Sequence, residues 1–105
     1  MYLNGSSLPI TIATDRTVTF EILVVARTDA GTSAGYRFIG VIENQAGTTA
    51  FIGSPNKVVL GEDDPAWDVE VVADDPNNTL VVQVTGALAT TIRWVATVHT
   101  AEVSY

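Results

Sequence analysis

From Thr17 to Val103 the chain alternates apolar and polar residues in short stretches punctuated by Gly, Pro, Asn and Asp, and this period of two is what most constrains its fold. Successive side chains of an extended strand point to opposite faces, so each stretch sorts itself into a buried and an open side. In Thr17 to Arg27, Val18, Phe20, Ile22, Val24 and Ala26 share one face, with Thr17, Thr19, Glu21, Leu23, Val25 and Arg27 on the other. No helical period of useful length competes, because Ala87-Leu88-Ala89 is short and is followed at once by Thr90-Thr91.

The same reading carries along the chain. Leu8 to Ile12 is a first short strand, which Pro9 confines to an edge or to its own beginning. Asp15-Arg16 is a turn. Thr28 to Ala34 is a loop, and Gly35 to Glu43 a strand with Tyr36, Phe38 and Ile42 inward and Arg37, Ile39, Val41 and Glu43 outward. Asn44 to Gly47 turns into Thr48 to Ile52, and Gly53-Ser54-Pro55-Asn56 turns again into Lys57 to Leu60. After the loop Gly61 to Pro65, Trp67, Val69, Val71 and Ala73 alternate with Asp68, Glu70 and Asp74. Asp74 to Asn78 has turn chemistry, and Leu80, Val82 and Val84 face inward beyond it. Gly86 to Thr90 is the last turn, and in the final strand, Thr91 to Val103, Ile92, Trp94, Ala96 and Val98 oppose Arg93, Val95, Thr97 and His99. The expectation is an all-β, single-domain antiparallel β-sandwich or jelly roll of about eight strands over residues 9–105, preceded by a flexible docking arm over residues 1–8.

Composition narrows the functional classes. The 105 residues make one domain, and 47% of them are hydrophobic, so a core is affordable and apolar surface is left for partners. Twelve acidic residues against five basic ones give a charge of −7, which repels phosphate backbones and anionic lipid and argues against nucleic acid or membrane as a partner. The longest apolar stretch, Ile22 to Ala26, is far short of a membrane-spanning helix. Met1 to Ser7 has neither the basic nor the apolar region of a secretory signal, so no leader is expected. With no cysteine the chain builds neither a disulfide nor a thiolate metal site, and no cofactor is implied.

Catalytic groups are sparse. His99, the one histidine, could act as a general base with Glu102 or Asp68 as its orienting partner, but its outward phase and the lack of a Ser or Cys motif favour a surface or interface residue. Serine and cysteine hydrolase readings lack an elbow, a thiol and a second histidine. The chain is therefore expected not to be an enzyme. Glu62-Asp63-Asp64 with Asp68, and Asp74-Asp75 with Asn77-Asn78, supply the oxygen ligands that calcium prefers, so Asp63, Asp64 and Asp68 are the calcium candidates. They lack the spacing of a calcium loop, and the same residues serve solvated turns. Trp94, Tyr36 or Tyr105 with Asp63, Asp64 or Asp68 could form a platform for a host surface glycan, which is the alternative function. Trp67 and Tyr36 have the inward phase of core residues, and Tyr2 and Tyr105 lie at the termini.

One feature suits a lone monomer poorly. Leu23, Val25, Ile39, Val41, Val72, Val81 and Val95 all fall on the outer phase of their strands, leaving a face for neighbouring subunits to cover, the alternative being loops or the N-terminal arm. Leu23, Val25, Ile39, Val41 and Val95 are the expected interface residues, with Met1 to Leu8 as the docking arm.

An ordered string of short motifs carries a resemblance: Thr17-Val18-Thr19-Phe20 through Val24-Val25-Ala26-Arg27-Thr28-Asp29, Ala34-Gly35-Tyr36, Gly47-Thr48-Thr49-Ala50, Glu62-Asp63-Asp64-Pro65-Ala66-Trp67-Asp68-Val69, Val84-Thr85-Gly86 and Thr91-Ile92-Arg93-Trp94-Val95-Ala96. Over residues 15–103 the chain resembles a β-sandwich module of tailed-bacteriophage virion proteins, often the terminal domain of tail-fibre-like chains. The resemblance implies a structural role on the particle surface, a homotrimer, contacts with other capsid or tail proteins, and no catalytic residues. A Met start and a short arm in place of a fibre shaft raise the alternative of a capsid decoration protein. Such a protein would be assembled in the host cytoplasm and located in the virion.

Overall fold

The computed structural model describes residues 7–86 and 91–104, and these form seven β-strands and no helix. The strands are β1 (Ser7–Thr11), β2 (Arg16–Arg27), β3 (Ser33–Gln45), β4 (Thr48–Glu62), β5 (Asp68–Asp74), β6 (Thr79–Thr85) and β7 (Arg93–Ser104). They make two antiparallel sheets, a three-stranded one in the order β1-β6-β5 and a four-stranded one in the order β4-β3-β2-β7. Ser7 and Leu8, expected in the arm, pair with Gln83 and Val82 of β6. The rest of the arm, most of the turn Gly86 to Thr90, and Tyr2 and Tyr105 lie outside the described residues.

Both sheets contribute to one core. Phe20, Ile22 and Val24 of β2, Tyr36, Phe38 and Ile42 of β3, and Trp94 and Ala96 of β7 are buried together with Val69 of β5 and Leu80 and Val82 of β6. The arrangement is sandwich-like, and the period of two assigned each of these residues to the inner face. Trp67, on the segment that crosses from β4 to β5, packs against Trp94 with ring centroids 6.0 Å apart at 52°, a tilted geometry favoured by aromatic quadrupoles.

The expected count of eight strands is corrected to seven among the described residues, because Thr48 to Ile52 and Lys57 to Leu60 are parts of one strand. Gly53-Ser54-Pro55-Asn56 has the composition of a turn, yet it forms an irregularity within β4, where the pairing steps from Val41↔Ile52 to Ile39↔Asn56. Proline is tolerated there because β4 is an edge strand and the bulge takes its residues out of the ladder. Gly40 lies opposite this break. A Cβ on Gly40 would come within 2.8 Å of the Phe20 ring and 3.2 Å of Pro55 Cα, so only glycine lets Phe20 fill that space.

One end of the molecule is closed by polar groups. Ala46 and Gly47, both with positive φ (51° and 93°), make the two-residue connection between β3 and β4 that matches the twist of a hairpin. Buried Asn44 holds it: its Nδ2 donates to the Ile12 carbonyl at 2.9 Å, and its Oδ1 accepts from the Gly47 N–H at 2.9 Å. Ala46 N–H donates to Asp15 Oδ1, and Thr49 N–H donates to Asp75 Oδ1 of the β5–β6 turn.

Candidate interaction face

The outer side of the four-stranded sheet is built by the same alternation that fills the core. Directly paired residues of an antiparallel sheet point the same way, so the register assembles the face row by row. Val25 lies between Gly35 and Val95, Leu23 between Arg37 and Thr97, Glu21 between Ile39 and His99, and Thr19 between Val41 and Ala101. All five expected interface residues, Leu23, Val25, Ile39, Val41 and Val95, therefore stand on one surface. Leu23 is 41% and Val25 54% exposed, while Ile39, Val41 and Val95 are half-buried by their neighbours.

Sequence reading missed the contribution of β4. Ile52 pairs with Val41 and Val58 with Arg37, which places both on this surface, and both are exposed. Leu60, 60% exposed, stands at a second irregularity beside Gly61. The signal was hidden because the bulge at Gly53 to Asn56 resets the alternation, so no single phase runs through β4. Val103 of β7 adds an exposed apolar residue at the opposite end. The outer side of the three-stranded sheet is smaller and carries only Val72, Val81 and Pro9 across its middle row.

The face is neutralised at its centre. Arg37 donates from Nε and Nη2 to Glu21 Oε2 at 3.0 and 2.6 Å, a cross-strand pair among apolar residues. Arg16 pairs with Glu102 at 2.7 Å. Lys57 reaches from β4 to β5, where Asp68 and Glu70 both accept from its Nζ. The hydrogen bond from Lys57 is the main cause that holds the Asp68 carboxyl below its ordinary pKa. For Lys57 burial, the largest single influence, works in the opposite sense, but its hydrogen bonds to Asp68 and Glu70 together outweigh it and raise the pKa of the ammonium.

The calcium candidates do not converge. Asp63 Oδ2 accepts from Ser33 N–H at 2.8 Å, Asp64 Oδ1 accepts from Ala66 N–H in a turn that leads into Trp67, and Asp68 belongs to Lys57. Among the described residues no group of three His, Asp or Glu side chains is placed to hold a metal ion. His99 lies opposite Glu21 on the outer face; Glu102 has the other phase and pairs with Arg16, and Asp68 belongs to the other sheet, so neither suggested partner reaches it.

Two of the three rings suggested for a glycan platform are in the core. Tyr36 is 0% and Trp94 5% exposed, so neither offers a ring to a ligand, and Tyr105 lies outside the described residues. The Tyr36 hydroxyl donates to Glu62 Oε2 at 2.5 Å and approaches the Trp67 carbonyl, tying β3 to the crossing segment. Burial, and then the bond to Glu62, push its pKa far above the ordinary 10.0, so the phenol stays protonated and structural. What the outer face can do chemically is bury apolar area against another surface. No protein-family model and no curated protein matches the chain.

Proposed function

We propose that this chain is a non-enzymatic structural protein of a tailed-bacteriophage virion, a β-sandwich module on the particle surface that assembles as a homotrimer and binds other virion proteins. Its strand order β7-β2-β3-β4 reads as one Greek key of such a sandwich; the second key of a jelly roll would need an eighth strand. The observation that carries the reading is the outer face of the four-stranded sheet, where Leu23, Val25, Ile52, Val58 and Leu60 are exposed together. A surface of this kind is a cost to a lone chain and a source of free energy to an assembled one. The negative charge agrees with protein partners better than with nucleic acid. Capsid decoration suits a short module as well as a fibre terminus does, and location in the virion after assembly in the host cytoplasm follows from either.

The test is Val25→Asp. A carboxylate in the middle of the face is tolerated in water but is strongly unfavourable at a dry interface. The expected result is a single-chain mass in solution with the far-ultraviolet β signal unchanged. A variant that keeps the native multimeric mass would place the interface elsewhere.

A further inference from the structure

Charge is distributed unevenly across the end of the outer face where β2 ends and β7 begins. Arg27 and Arg93 are direct partners in the β2–β7 register and point to the same side, an arrangement in which like charges repel. The chain has five basic residues; Arg16, Arg37 and Lys57 are ion-paired, whereas neither Arg27 nor Arg93 has a carboxylate partner among the described residues. Asp29 lines the same cleft without reaching either guanidinium. Arg27 does donate to Ser33 Oγ at 3.3 Å. At the other edge of the same sheet end, Glu62 and Asp63 border an open groove of about 400 Å³ whose floor is Val25, Gly35, Leu60 and Gly61. Asp63 uses one carboxylate oxygen on Ser33 N–H.

Arg27 and Asp63 both bond to Ser33, but Arg93 and Asp63 cannot meet within one chain. With β4 and β7 separated by β3 and β2, the edge axes are about 14 Å apart at the usual strand spacing. We propose that they meet between two copies of this chain: the β7 edge of one copy lies along the groove of the next, with Val95 over Val25 and Leu60 and with Arg93, supported by Arg27, against Asp63. This rests on the oligomeric reading above and specifies its geometry. With each copy giving its β7 edge to one neighbour and its groove to another, the contact is heterologous, and a heterologous contact repeated around an axis closes a ring, as a trimer requires. The apolar floor supplies the free energy, and the charges fix the register and disfavour any contact that would set Arg93 against Arg93.

The absence of cysteine permits a direct test. In Asp63→Cys/Arg93→Cys the two thiols are too far apart to close within a chain, since a disulfide needs Cα atoms within about 7 Å. Under mild oxidation the double variant is expected to give a covalent ladder ending in a closed multimer on a non-reducing gel, and neither single variant to cross-link. Cross-linking of Arg93→Cys alone, or a double-variant ladder that stops at two chains, would show a two-fold contact and overturn the proposal. So would an uncross-linked double variant whose mass in solution is still multimeric, a result that leaves the oligomeric reading standing. A wild-type protein of single-chain mass would overturn both. Gly61→Val provides an independent check, because a Cβ there meets nothing within 4 Å and the substitution fills the groove without touching the core. It is expected to weaken association by about tenfold or more with β structure unchanged, and unaltered association would exclude the groove.

Discussion

The two faces of the four-stranded sheet are made by alternate residues of the same strands, yet they solve opposite problems. On β2, Val18, Phe20, Ile22, Val24 and Ala26 are all buried, while Leu23 and Val25, of comparable hydrophobicity, are open to solvent in the positions between them. The inner face is closed along its middle, where the second sheet covers it, Trp67 and Trp94 fill the space between layers, and Asn44 seals one end with hydrogen bonds. At its edges Val59, Thr100 and Glu102 are exposed. Among the described residues the outer face has a charge pair at its centre, arginines without a carboxylate partner at one end and no layer above it. Hydrophobicity alone therefore does not mark the core. The inner residues carry the stability of the fold, and on the proposed reading the outer ones carry its contacts with other chains.

That division can be broken most severely from inside. Phe20→Ala removes a ring 1% exposed that fills the space left by Gly40, and it should cost about 3–5 kcal/mol, seen as a large fall in the denaturant midpoint. Asn44→Ala leaves the Ile12 carbonyl and the Gly47 N–H without their partner and should cost about 1–3 kcal/mol by the same measurement. A loss of a few tenths from either change would mean that the inner face is less tightly closed than described.

Changes on the outer face should reverse the pattern. Ile52→Thr with Leu60→Ser keeps strand length and removes apolar surface, so the unfolding midpoint measured on separated chains should shift by no more than about 0.5 kcal/mol. Association should weaken in the same variant, read as a concentration-dependent mass. A large loss of intrinsic stability would place these residues in the core's economy and erase the contrast between faces.

The smallest effect expected is with pH. Asp68 has a lowered pKa, so its contribution is present above the unfolded value and is lost as acid carries the pH down through the folded one. Lys57 and Tyr36 have raised pKa values, and both therefore favour folding less as the pH rises beyond the ordinary values of 10.5 and 10.0. Since Asp68 and Glu70 are about half exposed, solvent screening keeps the ion-pair term slight. Stability followed by thermal melts should be nearly level between about pH 4 and 10 as far as these groups decide it, and Lys57→Met should flatten the acid limb.

Much of this architecture was legible in the sequence because period two is a local property. The inward phases of β2, β3, β5, β6 and β7 were each read from their own residues, and so were the outward Leu23, Val25, Ile39, Val41 and Val95. What was illegible depended on tertiary context. Gly53-Ser54-Pro55-Asn56 reads as a turn unless one knows that β4 is an edge strand able to carry a bulge, and with β4 split in two the outward placement of Ile52, Val58 and Leu60 could not be derived. Asp63, Asp64 and Asp68 looked alike as oxygen donors, but one holds a strand end, one a turn and one a lysine, a distinction that only packing makes. The Arg27–Arg93 juxtaposition needed the β2–β7 register, which joins residues far apart in the chain.

The most direct test of the central claim, that the outer face is buried between copies, is the mass of the native protein in solution by light scattering coupled to size exclusion at micromolar concentration. The account predicts a stable mass near three chains that persists with a calcium chelator present. A clean single-chain mass across that range would contradict it, leaving the apolar outer face without the partner on which the account depends.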